Sequence, residues 1–236
     1  MWIPLVVASV LALAAAVTLL ALRDRSTPAD VSYGGPVGTE PGEPGVYHYD
    51  TVGFESVDAL AGARHDYPAV TAMIVEERPC GAVVRWEPLG QRRDEWWHCG
   101  PGPSVSTIVE FHEWFGIDDT TETSCEGLHL EAARGEGWWE ASCMRLDTVI
   151  AITLEHLGSE RLLVGSEEVL TVHVRMVETT SGRTSGTRTT DLWVVPDTPL
   201  LVRKRVVDRS SSSSPIGDVT YVEEYTLMLR SLSPSP

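Results

Sequence analysis

The sequence predicts an all-β protein: a single antiparallel curved sheet of about 10–13 strands, forming a half-barrel or an open barrel or sandwich, behind one N-terminal membrane helix. Three observations carry this. Two-residue alternation of apolar and polar side chains recurs through the body of the chain. Clusters of Gly, Pro, Asp and Ser separate the alternating runs. Outside the first 22 residues, no window holds an apolar helical period over ten residues.

The N-terminal run from Met1 through Leu22 carries no charged side chain, and Arg23-Asp24-Arg25 follows it. About 20 apolar residues are what a helix needs to cross a bilayer. With no basic residues ahead of it and an apolar stretch longer than a cleaved signal uses, residues 1–22 read as a signal anchor. Residues 23–45 are rich in Pro and Gly and read as a flexible tether. A β domain spans 46–232, and 233–236 read as a disordered tail.

Within the β domain the alternation is clearest in four places. In 105–115, Val105, Val109, Phe111 and Phe115 share one face, and Ser106, Glu110 and His112 the other. In 169–177, Leu170, Val172, Val174 and Met176 alternate with Thr171, His173 and Arg175. In 200–207, Leu200, Val202 and Val206 alternate with Leu201, Arg203, Arg205 and Val207. In 219–229, Val219, Tyr221, Tyr225, Leu227 and Leu229 alternate with Thr220, Glu224 and Thr226. Further strands are expected at 46–52, 69–77, 81–87, 94–99, 123–130, 138–145, 148–157, 161–165 and 187–195. Glu55–Gly62 is the one helical candidate, two turns ending on Gly62. The serine run Ser210–Ser214 before Pro215 reads as a hairpin loop.

Charge narrows the partners. The chain has 236 residues, 18 basic against 34 acidic, with a net charge of -16. Such a surface repels phosphate backbones, so nucleic acid is excluded as a partner, and flat adsorption to an anionic membrane is disfavoured. Lys204 is the only lysine, a bias that reads as genome composition rather than chemistry.

The four cysteines fall as Cys80, Cys99, Cys125 and Cys143. Each successive pair flanks an expected hairpin, so the local pairing Cys80–Cys99 and Cys125–Cys143 joins neighbouring antiparallel strands. Zinc ribbons need cysteines two to four residues apart, and no pair here is that close. An even cysteine count behind an export segment points to disulfides, and so to an oxidising compartment. Arg23 and Arg25 alone would hold the body in the cytoplasm. The cysteines outweigh two arginines beside an aspartate and put it on the extracytoplasmic side of a single-pass membrane protein.

No nucleophile elbow, zinc-protease helix, P-loop or dinucleotide fingerprint occurs. The histidines are scattered singly, and no catalytic, cofactor-binding or metal-binding residue is assigned. The densest polar cluster is Gly62-Ala63-Arg64-His65-Asp66-Tyr67-Pro68. It reads either as a ligand loop using Arg64, His65 and Tyr67, or as a structural corner with Tyr67 packed under the sheet and its hydroxyl bonded. His112 and Glu113 point to opposite faces of their strand and cannot act as a dyad. Trp193 shares a face with Thr189 and Asp191 and is expected against a second layer or on the concave side of the sheet.

Several segments carry a family likeness: Gly62–Pro68, Cys80-Gly81 with Trp86, His112-Glu113-Trp114-Phe115-Gly116, Thr190-Asp191-Leu192-Trp193 leading into Pro199–Arg203, Gly217–Tyr221, and Leu229–Leu232. On these the body resembles an uncharacterised family of exported actinobacterial proteins over roughly 46–232. The strand order, with its late Asp191-Leu192-Trp193-Val194-Val195-Pro196, is similar at pattern level to the LolA/LppX-type half-barrel of lipid and lipoprotein carriers. That likeness implies a curved sheet sheltering an apolar ligand. The expected function is therefore a non-enzymatic, membrane-anchored envelope protein without a cofactor. Its sheet would bind a hydrophobic or amphiphilic ligand such as a lipid; the alternative is a scaffold for another envelope protein, and a hydrolase with an unrecognised site comes last.

Overall fold

The computed structural model describes residues 26–59, 62–99, 104–130, 137–214 and 217–235. The anchor expected over 1–22 lies outside the described residues; among those described, no helix is long and apolar enough to cross a membrane.

Among the described residues all regular structure is β. The strands are β1 (Gly45–Val57), β2 (Ala63–Asp66), β3 (Val70–Arg78), β4 (Gly81–Leu89), β5 (Arg92–Cys99), β6 (Thr107–Trp114) and β7 (Ile117–Glu126). They continue as β8 (Trp138–Arg145), β9 (Thr148–Val164), β10 (Glu167–Gly182), β11 (Thr184–Val194), β12 (Leu201–Ser214) and β13 (Gly217–Leu229). Each pairs antiparallel with its neighbour, as the short connections require.

The expectation of an open sheet is overturned at its two edges. β13 pairs with β1 from Tyr49↔Leu229 to Val57↔Tyr221, so the sheet closes into a barrel of 12 strands. β2 and β3 keep one register on β1, interrupted only by Tyr67-Pro68-Ala69, and together form a single stave. Closure removes two long edges that would otherwise expose unpaired backbone groups. It joins the first and last strands of the domain, a contact with no local signature in sequence.

Local expectations change with it. Glu55-Ser56-Val57 continues β1 instead of starting a helix, because Thr51, Glu55 and Val57 alternate into the barrel. Ser210–Ser214 is strand, not loop: β12 runs to the hairpin turn, and the Ser212 and Thr184 hydroxyls meet at 2.8 Å. The segments 148–157 and 161–165 fuse into β9, with a bulge opposite at His173/Val174. The expected strand 123–130 sits earlier, as β7, whose hairpin from β6 turns on Phe115 and Gly116 at φ 57° and 76°. Gly53, at φ 153°, bends β1 so closely onto β13 that a Cβ there would lie 2.2 Å from the Glu224 carbonyl oxygen.

Alternation sets one face of every stave inward. The largest apolar cluster joins Tyr47, Tyr49, Met73, Trp86, Leu192, Val206, Tyr225 and Leu227 across the barrel. A second joins Ile152, Leu154, Val174 and Cys143 on the β8–β10 side. On the outer wall, Val46, Ala72 and Ile74 are buried under Val31 and Tyr33. Those two belong to the segment 26–44, which is also fixed at the other end of the barrel by the Pro28↔Leu89 bridge and a Gly90 N–H bond to the Thr27 carbonyl. At the C terminus Ser235 pairs with Val46. Elsewhere the outer wall exposes Asp118, Glu122, Glu140, Glu155, Arg175, Arg205, Arg209 and Glu224, which is not the apolar band a lipid-facing barrel carries.

Candidate functional site

The inward residues of β1 and β4–β13 line a cavity of about 320 Å³ running through the lumen. It has three zones along the barrel axis. At the end carrying the tight β10–β11 and β12–β13 turns, the half-buried hydroxyls of Thr180, Thr184, Ser210 and Ser212 form a polar rim. Toward the opposite end the wall is apolar, with Trp96, Ile108, Leu130, Met176, Leu192 and Leu201. Between them lies a belt of ionisable side chains.

The belt is built around two arginines. Arg92 of β5, 1% exposed, holds Asp94 at 2.8 Å and Glu223 at 3.5 Å, and also contacts His112. Arg188 of β11 holds Glu110 at 3.1 Å and Glu223 at 3.0 Å, with Asp208 and Glu178 each at 3.9 Å. Glu223 is fully buried and accepts a further bond from the Tyr67 hydroxyl at 2.7 Å. Arg145 closes the β8 side, 3.8 Å from Glu110.

Burial and pairing pull these groups apart. Burial pushes Glu110 up, but Arg188, Arg92 and His112 outweigh it and hold the carboxyl down at about 2. Burial also dominates at Asp208, where the charges of Glu223, Glu110 and Glu178 add to it against the pull of Arg188, and the carboxyl is pushed up to about 7. Glu178 and Asp94 are likewise raised by burial against nearby arginines. The belt has more carboxyls than cations, and at these groups burial outweighs the arginines beside them.

The Gly62–Pro68 cluster contributes to this network, in two directions. His65 and Tyr67 point inward; Arg64 and Asp66 pair with each other on the outer wall at 2.8 Å, with Arg64 over the Phe54 ring. His65, fully buried, contacts Glu55 at 3.0 Å and stacks on Trp114 at 4.1 Å. Glu55 also meets His112 at 3.4 Å and accepts from the Tyr221 hydroxyl at 3.1 Å. Burial would raise the Glu55 carboxyl, yet the bonds from His112 and His65 and the Arg92 charge hold it well below the usual carboxylate range. Tyr67 is thus packed and bonded as the corner reading expects, and Glu113 stands on the outer wall opposite His112.

Trp193 is not on the lumen side. Leu192 lines the cavity, and Trp193 lies on the outer wall, stacked on His173 at 4.0 Å, covered by Arg203 at 4.7 Å, and donating from its indole N–H to Glu160. The cysteines pair as Cys80–Cys99 and Cys125–Cys143, with Cα separations of 4.8 and 4.0 Å. Cys125–Cys143 crosses the shortest seam, β7–β8, where only three residue pairs are in register. Among the described residues, no group of three or more His, Cys, Asp or Glu is placed to hold a metal ion.

Arg92, Glu110, Arg188, Glu223 and Lys204 were not singled out from sequence as site residues. Two of them leave a trace there. Glu223 sits between Tyr221 and Tyr225, and Lys204 between Val202 and Val206, each a charge flanked on its own face by apolar side chains. No protein-family model, no curated protein and no solved structure matches this chain.

Proposed function

We propose that the barrel binds a small amphiphilic molecule in its lumen, the apolar part against Trp96, Ile108 and Met176 and the polar part toward the belt. The observation that carries this is the cavity of about 320 Å³ whose apolar wall abuts an ionised zone, within the size range of small-molecule sites. The two disulfides support an oxidising, extracytoplasmic setting, and the uncharged run to Leu22 supports a membrane anchor. The test is native mass spectrometry of the full chain with decanol. One decanol is retained by the wild type, and retention falls at least tenfold in Met176→Trp, which fills the chamber while the melting temperature stays within a few degrees. Equal retention in a folded Met176→Trp protein, or none in the wild type, rejects the lumen as the site.

A second reading, a docking scaffold for another envelope protein, rests on one patch. Ile117, Met144, Leu146 and Val149 are 70%, 65%, 102% and 49% exposed beside the turns at the polar rim. Charged substitutions at Met144 and Val149 that abolish association with a partner, while leaving decanol retention intact, favour this reading.

A further inference from the structure

Lys204 is the only lysine of the chain, and β12 turns it into the lumen, where it lines the cavity and is 5% exposed. Its ammonium lies 4.1 Å from the Trp96 ring centroid and 5.4 Å from that of Tyr225. Among the described residues no carboxylate lies within ion-pair distance of it, although the arginines of the same belt are closely paired. A long, flexible amine so placed is desolvated without being neutralised.

We propose that Lys204 is a covalent anchor: it captures an aldehyde-bearing apolar ligand in the lumen as a reversible imine. The neutral Nζ attacks the carbonyl carbon, the carbinolamine oxygen takes up the two amine hydrogens and leaves as water, and a C=N bond replaces C=O. Nothing is oxidised or reduced, so no co-reactant is needed. Desolvation and neighbouring cations are the means by which lysines become nucleophiles. Both act here: burial first, then the Arg188 and Arg92 charges, bring the amine down to about 7 against the opposing pull of Asp94 and Glu223. The other groups facing it are the raised carboxyl of Glu178 from β10 and the Tyr225 ring from β13. At pH 7 far more of Lys204 is neutral than of an ordinary lysine.

The inference rests on the lumen reading above, and the experiment separates the two. The full chain is incubated with decanal and cyanoborohydride at pH 7, which reduces an imine to a stable secondary amine. One alkyl addition is expected on intact mass, mapped to Lys204, absent in Lys204→Met, with its yield rising to half-maximum near pH 7 rather than near about 10. Addition confined to the α-amine, or none, overturns the anchor. If decanol is retained while decanal is not trapped, the anchor fails and the lumen stands; if neither is taken up, both fall. Because the wild type has a single lysine, the mapping holds even if Lys204→Met does not fold.

Discussion

Arg188 and Lys204 occupy neighbouring strands, both face the lumen, and they meet burial in opposite ways. Arg188 sits in the belt with four carboxyls around it. Lys204 sits at the border of the apolar chamber against two aromatic rings. A planar guanidinium can bridge several carboxylates at once, whereas a compact ammonium that is not paired loses its hydration for little return. The first arrangement locks staves together; the second leaves a reactive group facing open space. The belt is therefore expected to behave as structure, and the chamber border as function.

The largest expected effect is on the belt. Arg188→Met leaves Glu110, Glu223, Asp208 and Glu178 without their common cation, and removing one member of a buried ionic cluster costs about 3–5 kcal/mol. Urea unfolding should show that loss. A change under about 1 kcal/mol would mean that the belt relaxes by proton uptake and is not a structural lock.

The apolar chamber has its own staple. Cys143 packs with Ile152, Leu154 and Val174, and its bridge to Cys125 spans the three-residue β7–β8 seam, whereas β9–β10 pair over nearly their whole lengths. Replacing both cysteines by serine should destabilise by about 3 kcal/mol in the loop-entropy account. Hydrogen exchange should rise first in β7 and β8. Uniform loosening of all staves would contradict the view that this seam is the weak one.

Acid divides the belt itself by sign. Glu110 and Glu55 have lowered carboxyls, so their contribution is present above about 4.5 and is lost as pH falls toward 2. Asp208 is raised from 3.8 to about 7, so the folded form holds a proton that the unfolded form has released. Its contribution is full below about 4 and is lost as pH rises through 7. Wild-type stability should then fall on both sides of a maximum near pH 4–5. In Asp208→Asn the decline toward neutrality should shrink, as measured by the urea midpoint at pH 5 and pH 7.

The contrast between the regions also governs what was legible in the sequence. Period-two alternation located most strands, and the cysteine spacing indicated the bridges, because both are local. Closure was not legible, since the β1–β13 pairing joins segments about 170 residues apart, from Tyr49↔Leu229 to Val57↔Tyr221. The belt was hidden for a related reason. On β6 the face carrying Glu110 and His112 turns inward, while Val109 and Phe111 face out, so assigning the apolar face to the interior misleads wherever a lumen is charged. Trp193 misled in the opposite sense: its burial comes from His173 and Arg203 lying over it on the outer wall, and no second layer is needed. Tyr67 and His65 were recognisable as a dense polar corner, but Glu223 and Glu55, which receive them, come from distant or facing stretches of β13 and β1.

The smallest stability effect at neutral pH is expected at Lys204. Methionine matches the length of the lysine stem and places no charge against Trp96 and Tyr225, so Lys204→Met should leave stability at pH 7 within about 1 kcal/mol of wild type, or raise it. The difference should appear in alkali. The folded amine titrates at about 7 and the unfolded one at 10.5, so between these values the unfolded chain binds more protons. Wild-type stability must therefore rise with pH across that window. Tyr67 and Tyr225, which are buried, and the half-buried Tyr221 are raised above their ordinary value and oppose this only beyond about pH 10. Urea midpoints at pH 7.5 and 9.5 should thus climb in the wild type and stay nearly level in Lys204→Met. A wild type without the climb would mean that Lys204 keeps its proton in the lumen. The chamber border would then be a second ionic lock like Arg188, and the amine would be unavailable to a carbonyl at neutral pH.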